Sequence, residues 1–396
     1  MSKVLQKQIA FWLSAFSLHI FLGSVSAISA GAHSEVDADA DEKQLQKLNA
    51  GLKRKATDIR LLQKRSKLLL EMERPQQAIE DCNTILKVEP NNAQALSDMA
   101  WAKNQQGKFS EALTYCANAL KKNPKYFKAF YNRATAHAGL KQFPEAIKAY
   151  CQYIAFKPDD AEAYDERAHC YGHLQQYDKV IEDCTLAIKY DPENAHSYMQ
   201  RGHARSVLEQ YDPAIADLKK AIELDPKSAW AYKGLGWVYG AREQYAKSIE
   251  YYDLAIKNDP NFGEAFASRG YSKIETKDFK GAIADTTRAI ELDPNDGFPY
   301  GCRGYAKKNL HDYKGAEADF SKALKINPES VWALVNRSHV RFAQGNLMGG
   351  LEDFADGHRL QKKESSKLLK QSADQMFGKE AKSAKGFVDS LFKDLK

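Results

Sequence analysis

Four histidines and three acids lie close together near the middle of a 396-residue chain: His169, His173, His196 and His203, with Glu162, Asp165 and Glu166. His169 and His173 are four residues apart, so on a helix they share one face. Imidazoles at that spacing can ligate a transition metal, with a carboxylate to complete the set. The same groups can instead form a polar patch that hydrogen-bonds a peptide backbone or responds to pH. The patch is the favoured reading, because paired histidines arise by chance and no metal motif surrounds these; no metal and no cofactor is expected. A second set is aromatic. Beyond residue 32 the tryptophans are Trp101, Trp230, Trp237 and Trp332, and Tyr131, Tyr271, Phe298 and Tyr305 extend the series. Indoles and phenols supply desolvated contact with a polar handle, which is binding chemistry rather than bond-making chemistry. A phosphate-cradling glycine loop, an H-E-x-x-H motif and a G-x-S-x-G motif are all absent from the sequence, so no enzymatic activity is expected.

The elements that must position these residues repeat. Pro90, Pro124, Pro158, Pro192, Pro226, Pro260, Pro294 and Pro328 stand 34 residues apart without a slip. Self-similarity at this period marks a stacked helix–turn–helix array. Each proline ends one helix and leads into the turn before the next. Count each unit from the third residue after its proline. The eighth position is then always small: Ser66, Ala100, Ala134, Ala168, Gly202, Gly236, Gly270, Gly304 and Ser338. The fourth is bulky, from Leu62 and Leu96 through Tyr164 and Tyr232 to Leu334. Large against small at fixed spacing lets neighbouring helices interdigitate. Pro75, Pro144 and Pro213 fall where a second helix should begin, a place that tolerates proline. Arg133, Arg167, Arg201, Arg269, Arg303 and Arg337 recur at the seventh position. Their stems are expected to pack while their heads reach acids such as Asp183, Asp217, Asp285, Asp319 and Asp353.

This pattern resembles the tetratricopeptide-repeat (TPR) family. The best-matching segment reads Tyr232, Leu235, Gly236, Tyr239, Tyr245, Tyr252, Ala255 and Pro260. The resemblance covers residues 59–328 as eight units, and a ninth, divergent unit occupies 329–362, with Lys362 where a proline would close it. It implies an all-α fold, a right-handed α-solenoid of about nine repeats with helical caps. It also implies that first helices of successive units line a concave groove that meets a protein or peptide ligand. The ninth position of each unit would face that groove, and it carries Trp101, His169, His203, Trp237, Tyr271, Tyr305 and His339. His173, His196, Trp230, Tyr131, Lys233, Phe298 and Trp332 would join them, and Arg60, Lys67, Lys128 and Lys233 would orient acidic groups. The carboxylate clamp that some relatives use to hold a chaperone tail is not reproduced, since Gln63, Lys67 and Asp98 or Lys233, Trp237 and Ser268 stand in its place.

Formal charge is +6, and +4 once Lys3 and Lys7 are set aside. That mild excess is spread among acids, so nucleic acid is not an expected partner. Residues 1–32 fall outside the array. A positive start is followed by the apolar run Ile9–Leu22 and by Ala30-Gly31-Ala32, which resembles a secretory signal peptide or, less well, a signal anchor. An exported protein, periplasmic or secreted, is therefore expected, with membrane contact only through an uncleaved N-terminus or the basic C-terminal tail. Residues 33–58 read as an acidic spacer and a capping helix with Leu45, Leu48 and Leu52 on one face. Residues 363–396 form a basic helical tail. It could cap the array, lie on an anionic membrane, or fill the groove of a second copy in a homo-oligomer. Six cysteines are expected as reduced, buried thiols, because repeat-equivalent positions sit too far apart to bridge.

Overall fold

The computed structural model describes residues 35–377, with side-chain surroundings for 39–362. The leader reading of residues 1–32 and the end of the basic tail lie outside the described residues. Nineteen helices and no strand are present among the described residues. The first, α1, spans Glu35–Arg54 and takes in the acidic stretch as well as the leucine face. Leu45, Leu48 and Leu52 are all buried against the array.

Contacts divide the chain into two compact units, one ending at Pro226 and one beginning at Lys227. The first unit continues with the helix pairs α2 Ile59–Glu71 and α3 Pro75–Val88, α4 Ala93–Gln105 and α5 Phe109–Lys122, α6 Phe127–Gly139 and α7 Phe143–Ile154, α8 Ala161–His173 and α9 Tyr177–Tyr190, and α10 Ala195–Val207 and α11 Tyr211–Leu224. The second holds α12 Ala229–Ala241 and α13 Tyr245–Asn258, α14 Gly263–Glu275 and α15 Phe279–Leu292, α16 Gly297–Asn309 and α17 Tyr313–Ile326, and α18 Val331–Ala343 and α19 Leu347–Phe377. Within each unit every helix packs on its chain neighbours, and successive first helices also touch one another. Theirs is therefore the tighter, inner side of each α-solenoid run.

Local chemistry explains the boundaries. Asp58, Asn92, Asp160 and Asn194 cap first helices with a side-chain oxygen. Pro75 and Pro144 sit in the first turn of second helices. The turn inside every pair places one residue in the left-handed region: Glu73, Gly107, Lys141, Gln175, Glu209, Glu243, Lys277, His311 and Gly345. The next amide closes back by five residues, as from Arg74 to Leu69 and from Gln142 to His137. This is a Schellman closure, for which glycine is the usual residue. Only two of the nine are glycine, so this turn was invisible in the sequence pattern.

The small eighth position is buried throughout, and Gly236 shows why. A Cβ there would stand 2.8 Å from the ring of Tyr252. The arginine reading is realised as a ladder. Arg65, Arg167, Arg201, Arg269, Arg303 and Arg337 each grip the aspartate sixteen residues on with Nε and one terminal nitrogen. The remaining nitrogen reaches back to the preceding second helix, as from Arg201 to Thr185 and from Arg303 to Thr287. Each of these guanidiniums so ties two pairs together, except Arg65, which ties its pair to Asn49 on α1. Arg133 is the exception: Ala149 stands where its acid would be, and it bonds Gln152 instead. Burial without a carboxylate lowers its pKa. All six cysteines are free thiols.

Candidate functional site

The inner side of the first unit is held together by polar bonds between successive first helices. From α2, Ser66 donates to Asp98 on α4 at 3.1 Å. From α6, Asn132 donates to Ser97 of α4, and it accepts from Asn104 at its carbonyl. Tyr131 on α6 donates to Glu162 on α8 at 2.8 Å. Three groups of α10 then converge on one acid of α8. The carboxylate of Asp165 meets His196 Nδ1 at 2.7 Å, Ser197 Oγ at 2.6 Å and Gln200 Nε2 at 3.0 Å. Ser197 and His196 thus both bond Asp165 rather than each other, which is a packing knot and not a nucleophile with its base.

The electrostatics follow from this arrangement. Burial lowers His196, but Asp165 and Glu166 beside it more than offset that, so its pKa is raised. His169 is pushed down to about 3 by burial and by the neighbouring His173 and His196, which keeps it neutral. Its ring meets His173 edge-on at 4.9 Å, and His173 stacks on Phe143 at 3.9 Å. Glu166 is raised to about 7 by burial and by Asp165. His203 is half-buried on α10. Among the described residues no cluster of three His, Cys, Asp or Glu side chains could hold a metal ion.

In the second unit the inner side is aromatic. Trp230 packs on Phe262 with ring centres 4.6 Å apart, and the ammonium of Lys233 sits 4.5 Å above the indole. Lys233 is 7% exposed and paired with Glu264 on α14, so its charge is answered within the protein rather than presented to a ligand. Tyr271 meets Phe298 at 6.3 Å. Trp332 lies between Tyr305, stacked at 5.8 Å, and Phe320, edge-on at 6.0 Å. Lys308 covers Tyr305 at 4.4 Å and donates to Asn336 at 2.7 Å. His339 is exposed on α18.

Family comparison matches this chain to tetratricopeptide-repeat profiles at residues 97–162, 161–194, 229–262 and 300–330, and to a TPR repeat profile at 208–241. Residues 97–194, 208–262 and 300–330 thus carry tetratricopeptide repeats. A comparison with curated proteins finds no match. Among solved structures, this chain is similar to one in the APC/C hetero-tetramer Cut9–Hcn1, at 16% identity and TM-score 0.56 over 78% of this chain and 60% of that one. That likeness shows the fold. Similarity is also found to YrrB, described as a TPR protein with an unusual peptide-binding site, at 26% identity and TM-score 0.39 over 46% of this chain and 93% of that one. MamA matches at 20% identity and TM-score 0.38 over 41% of this chain and 96% of that one. Among the described residues no helix is long and apolar enough to cross a membrane.

The sequence-derived residues sort into three groups. Trp101, Trp237, Tyr271 and Tyr305 are half-buried on first helices of the TPR array. Tyr131, Trp230, Phe298 and Trp332 are also half-buried, and they pack across to rings on neighbouring helices. His196 and His169 come together beside Asp165, and His173 packs on His169. Sequence reasoning missed Ser197 and Gln200, which bond Asp165 alongside His196.

Proposed function

We propose that this TPR protein is a non-catalytic scaffold whose inner walls bind an extended or helical segment of another protein. One observation carries the reading: the ninth-position rings Trp101 in the first compact unit, and Trp237, Tyr271 and Tyr305 in consecutive repeats of the second, are neither sunk in the core nor turned fully to solvent. Half-buried aromatic side chains at regular spacing suit apolar anchors of a docked peptide, with contact area at low entropic cost. The leader-like residues 1–32 support a periplasmic or secreted setting, in a bacterial envelope or outside it. Selection of displayed random twelve-residue peptides on the wild type tests the scaffold reading. Peptides should emerge, and Trp101→Ala or Trp237→Ala should weaken them about tenfold. Failure to select any peptide, or equal binding by both variants, overturns it.

Self-assembly is a second reading, favoured by an apolar strip on α19. Leu347, Met348, Leu351 and Phe354 are 63%, 71%, 55% and 50% exposed and lie along one side of the helix. Sedimentation of the wild type against Leu351→Lys/Phe354→Lys decides it, since a mass that is monomeric in both removes this reading.

A further inference from the structure

The formal charge of +6 is not laid down evenly along the chain. Residues 121–157 carry seven lysines and Arg133 against a single acid, Glu145, while the remainder holds 50 bases and 51 acids. The positive excess of the protein therefore resides in one helix pair and the turns on either side of it. All seven lysines are exposed. Among the described residues none of the eight cations enters an ion pair, and Arg133 hydrogen-bonds the neutral amide of Gln152. A block of like charge repels itself and adds nothing to folding, in contrast to the arginine–aspartate ladder.

Packing brings five of the lysines to one edge of the first unit. Helix α5 ends there with Lys121 and Lys122, the turn that follows carries Lys125, α6 begins with Lys128 in its first turn, and the turn after α7 carries Lys157. Lys157 closes the set, since its ammonium lies 5.6 Å above the ring of Phe127 at the start of α6. Phe156 beside it is 45% exposed and stacks on Phe130 at 6.0 Å. Acids reach this edge only at its margins. Asp98 acts on Lys128 from a buried position on α4, Asp160 is spent on the Ala163 amide and the Tyr153 hydroxyl, and Asp159 stands in the turn beyond Lys157.

Flexible ammonium groups without fixed partners suit a diffuse plane of negative charge better than a shaped anion, which a guanidinium fork would hold. An apolar ring among them suits the boundary between lipid headgroups and acyl chains. A nucleic-acid strand would need successive open ring faces, but Phe127 lies against Tyr126 and Tyr153, Phe130 is covered by Phe156 and Arg133, and Phe156 alone is open. We propose that the turns flanking the α6–α7 pair form a docking surface for an anionic lipid bilayer. Lys121, Lys122, Lys125, Lys128 and Lys157 meet the phosphate headgroups, and Phe156 enters between them. The surface belongs to the array itself and is separate from the leader-like residues and the basic tail. It lies at the ends of the helices, so the inner wall stays available to a polypeptide.

Flotation of the full chain with lipid vesicles tests this. At low salt the protein should float with vesicles of equal phosphatidylglycerol and phosphatidylcholine, stay behind with phosphatidylcholine alone, and leave the anionic vesicles at about 0.5 M salt. Lys121→Glu/Lys125→Glu/Lys157→Glu should lower partitioning at least about tenfold, and Phe156→Ser about threefold. Lys219→Glu/Lys280→Glu/Lys314→Glu makes the same change in net charge at exposed positions elsewhere and should stay within about twofold of the wild type. Thermal melts by circular dichroism check that the variants remain folded. Absence of flotation, equal flotation with neutral vesicles, or an equal loss in both triple variants overturns the surface. Undiminished flotation of the first triple variant overturns it too, and assigns the contact to the leader-like residues or the tail. Binding of labelled polyglutamate or oligothymidylate without flotation assigns the lysines to a polyanion and likewise removes the bilayer.

Discussion

Asp98 shows how a single buried carboxyl records its surroundings. Burial raises it to about 6, against the hydrogen bond from Ser66 that lowers it. The folded chain thus holds this proton more tightly than the unfolded chain, whose carboxyl titrates near 3.8. Its stabilising contribution is full below the unfolded value and is lost as pH rises through about 6. Asp98→Asn keeps an acceptor for Ser66 and should raise stability at pH 8 by on the order of 2 kcal/mol, with little change at pH 4. Denaturant melts at the two pH values read the difference, and an equal effect at both would exclude titration as the cause. Gly236 is the steric counterpart. Gly236→Ala drives a methyl against the Tyr252 ring, a large side chain that is itself buried, and should cost about 1–3 kcal/mol in the same assay.

At the scale of the element, the turn and the arginine ladder make opposite demands on residue type. Seven of nine helix-pair turns place a residue with a side chain in the left-handed region, at about 1 kcal/mol each relative to glycine. Lys141→Gly should therefore stabilise by roughly 0.5–1 kcal/mol, and Gly107→Ala should destabilise by a similar amount. If both changes are neutral in chemical denaturation, these turns carry no strain. The ladder was readable in the sequence because its partners keep a constant sixteen-residue offset, as from Arg303 to Asp319. Asp319→Asn leaves Arg303 and Lys307 without their carboxylate and should cost about 3 kcal/mol. Arg303→Met/Asp319→Leu should recover part of that loss, because the guanidinium is gone while Lys307 still lacks its carboxylate. The turn chemistry was not readable, because Glu, Lys, Gln and His fill a place where glycine would have signalled it.

Within each compact unit the main contacts among the described residues join neighbouring helices and next-neighbour first helices, so stability should be a near sum over helix pairs. Removing residues 127–160 joins Tyr126 to Ala161 in register, and it also removes Arg133, the ladder arginine without an acid. The shortened chain should keep its helicity per residue by circular dichroism and lose roughly a tenth of its urea m-value. Loss of cooperative unfolding would show that coupling runs beyond neighbours. The period alone determined the all-α class, the helix pairs, the small-residue packing and the arginine–aspartate ties, because each depends on an offset that recurs in every unit. Tertiary structure decided which inner-wall groups are spent and which remain open. Lys233 is consumed by Glu264 and Asp165 by three donors, while the rings of Trp101 and Trp237 stay half-buried. Tyr131–Glu162, Asp165–His196 and Lys233–Glu264 share one offset of 31 residues, but the residue types at those positions change from unit to unit, so which of them pair is fixed only where the helices come to rest against one another.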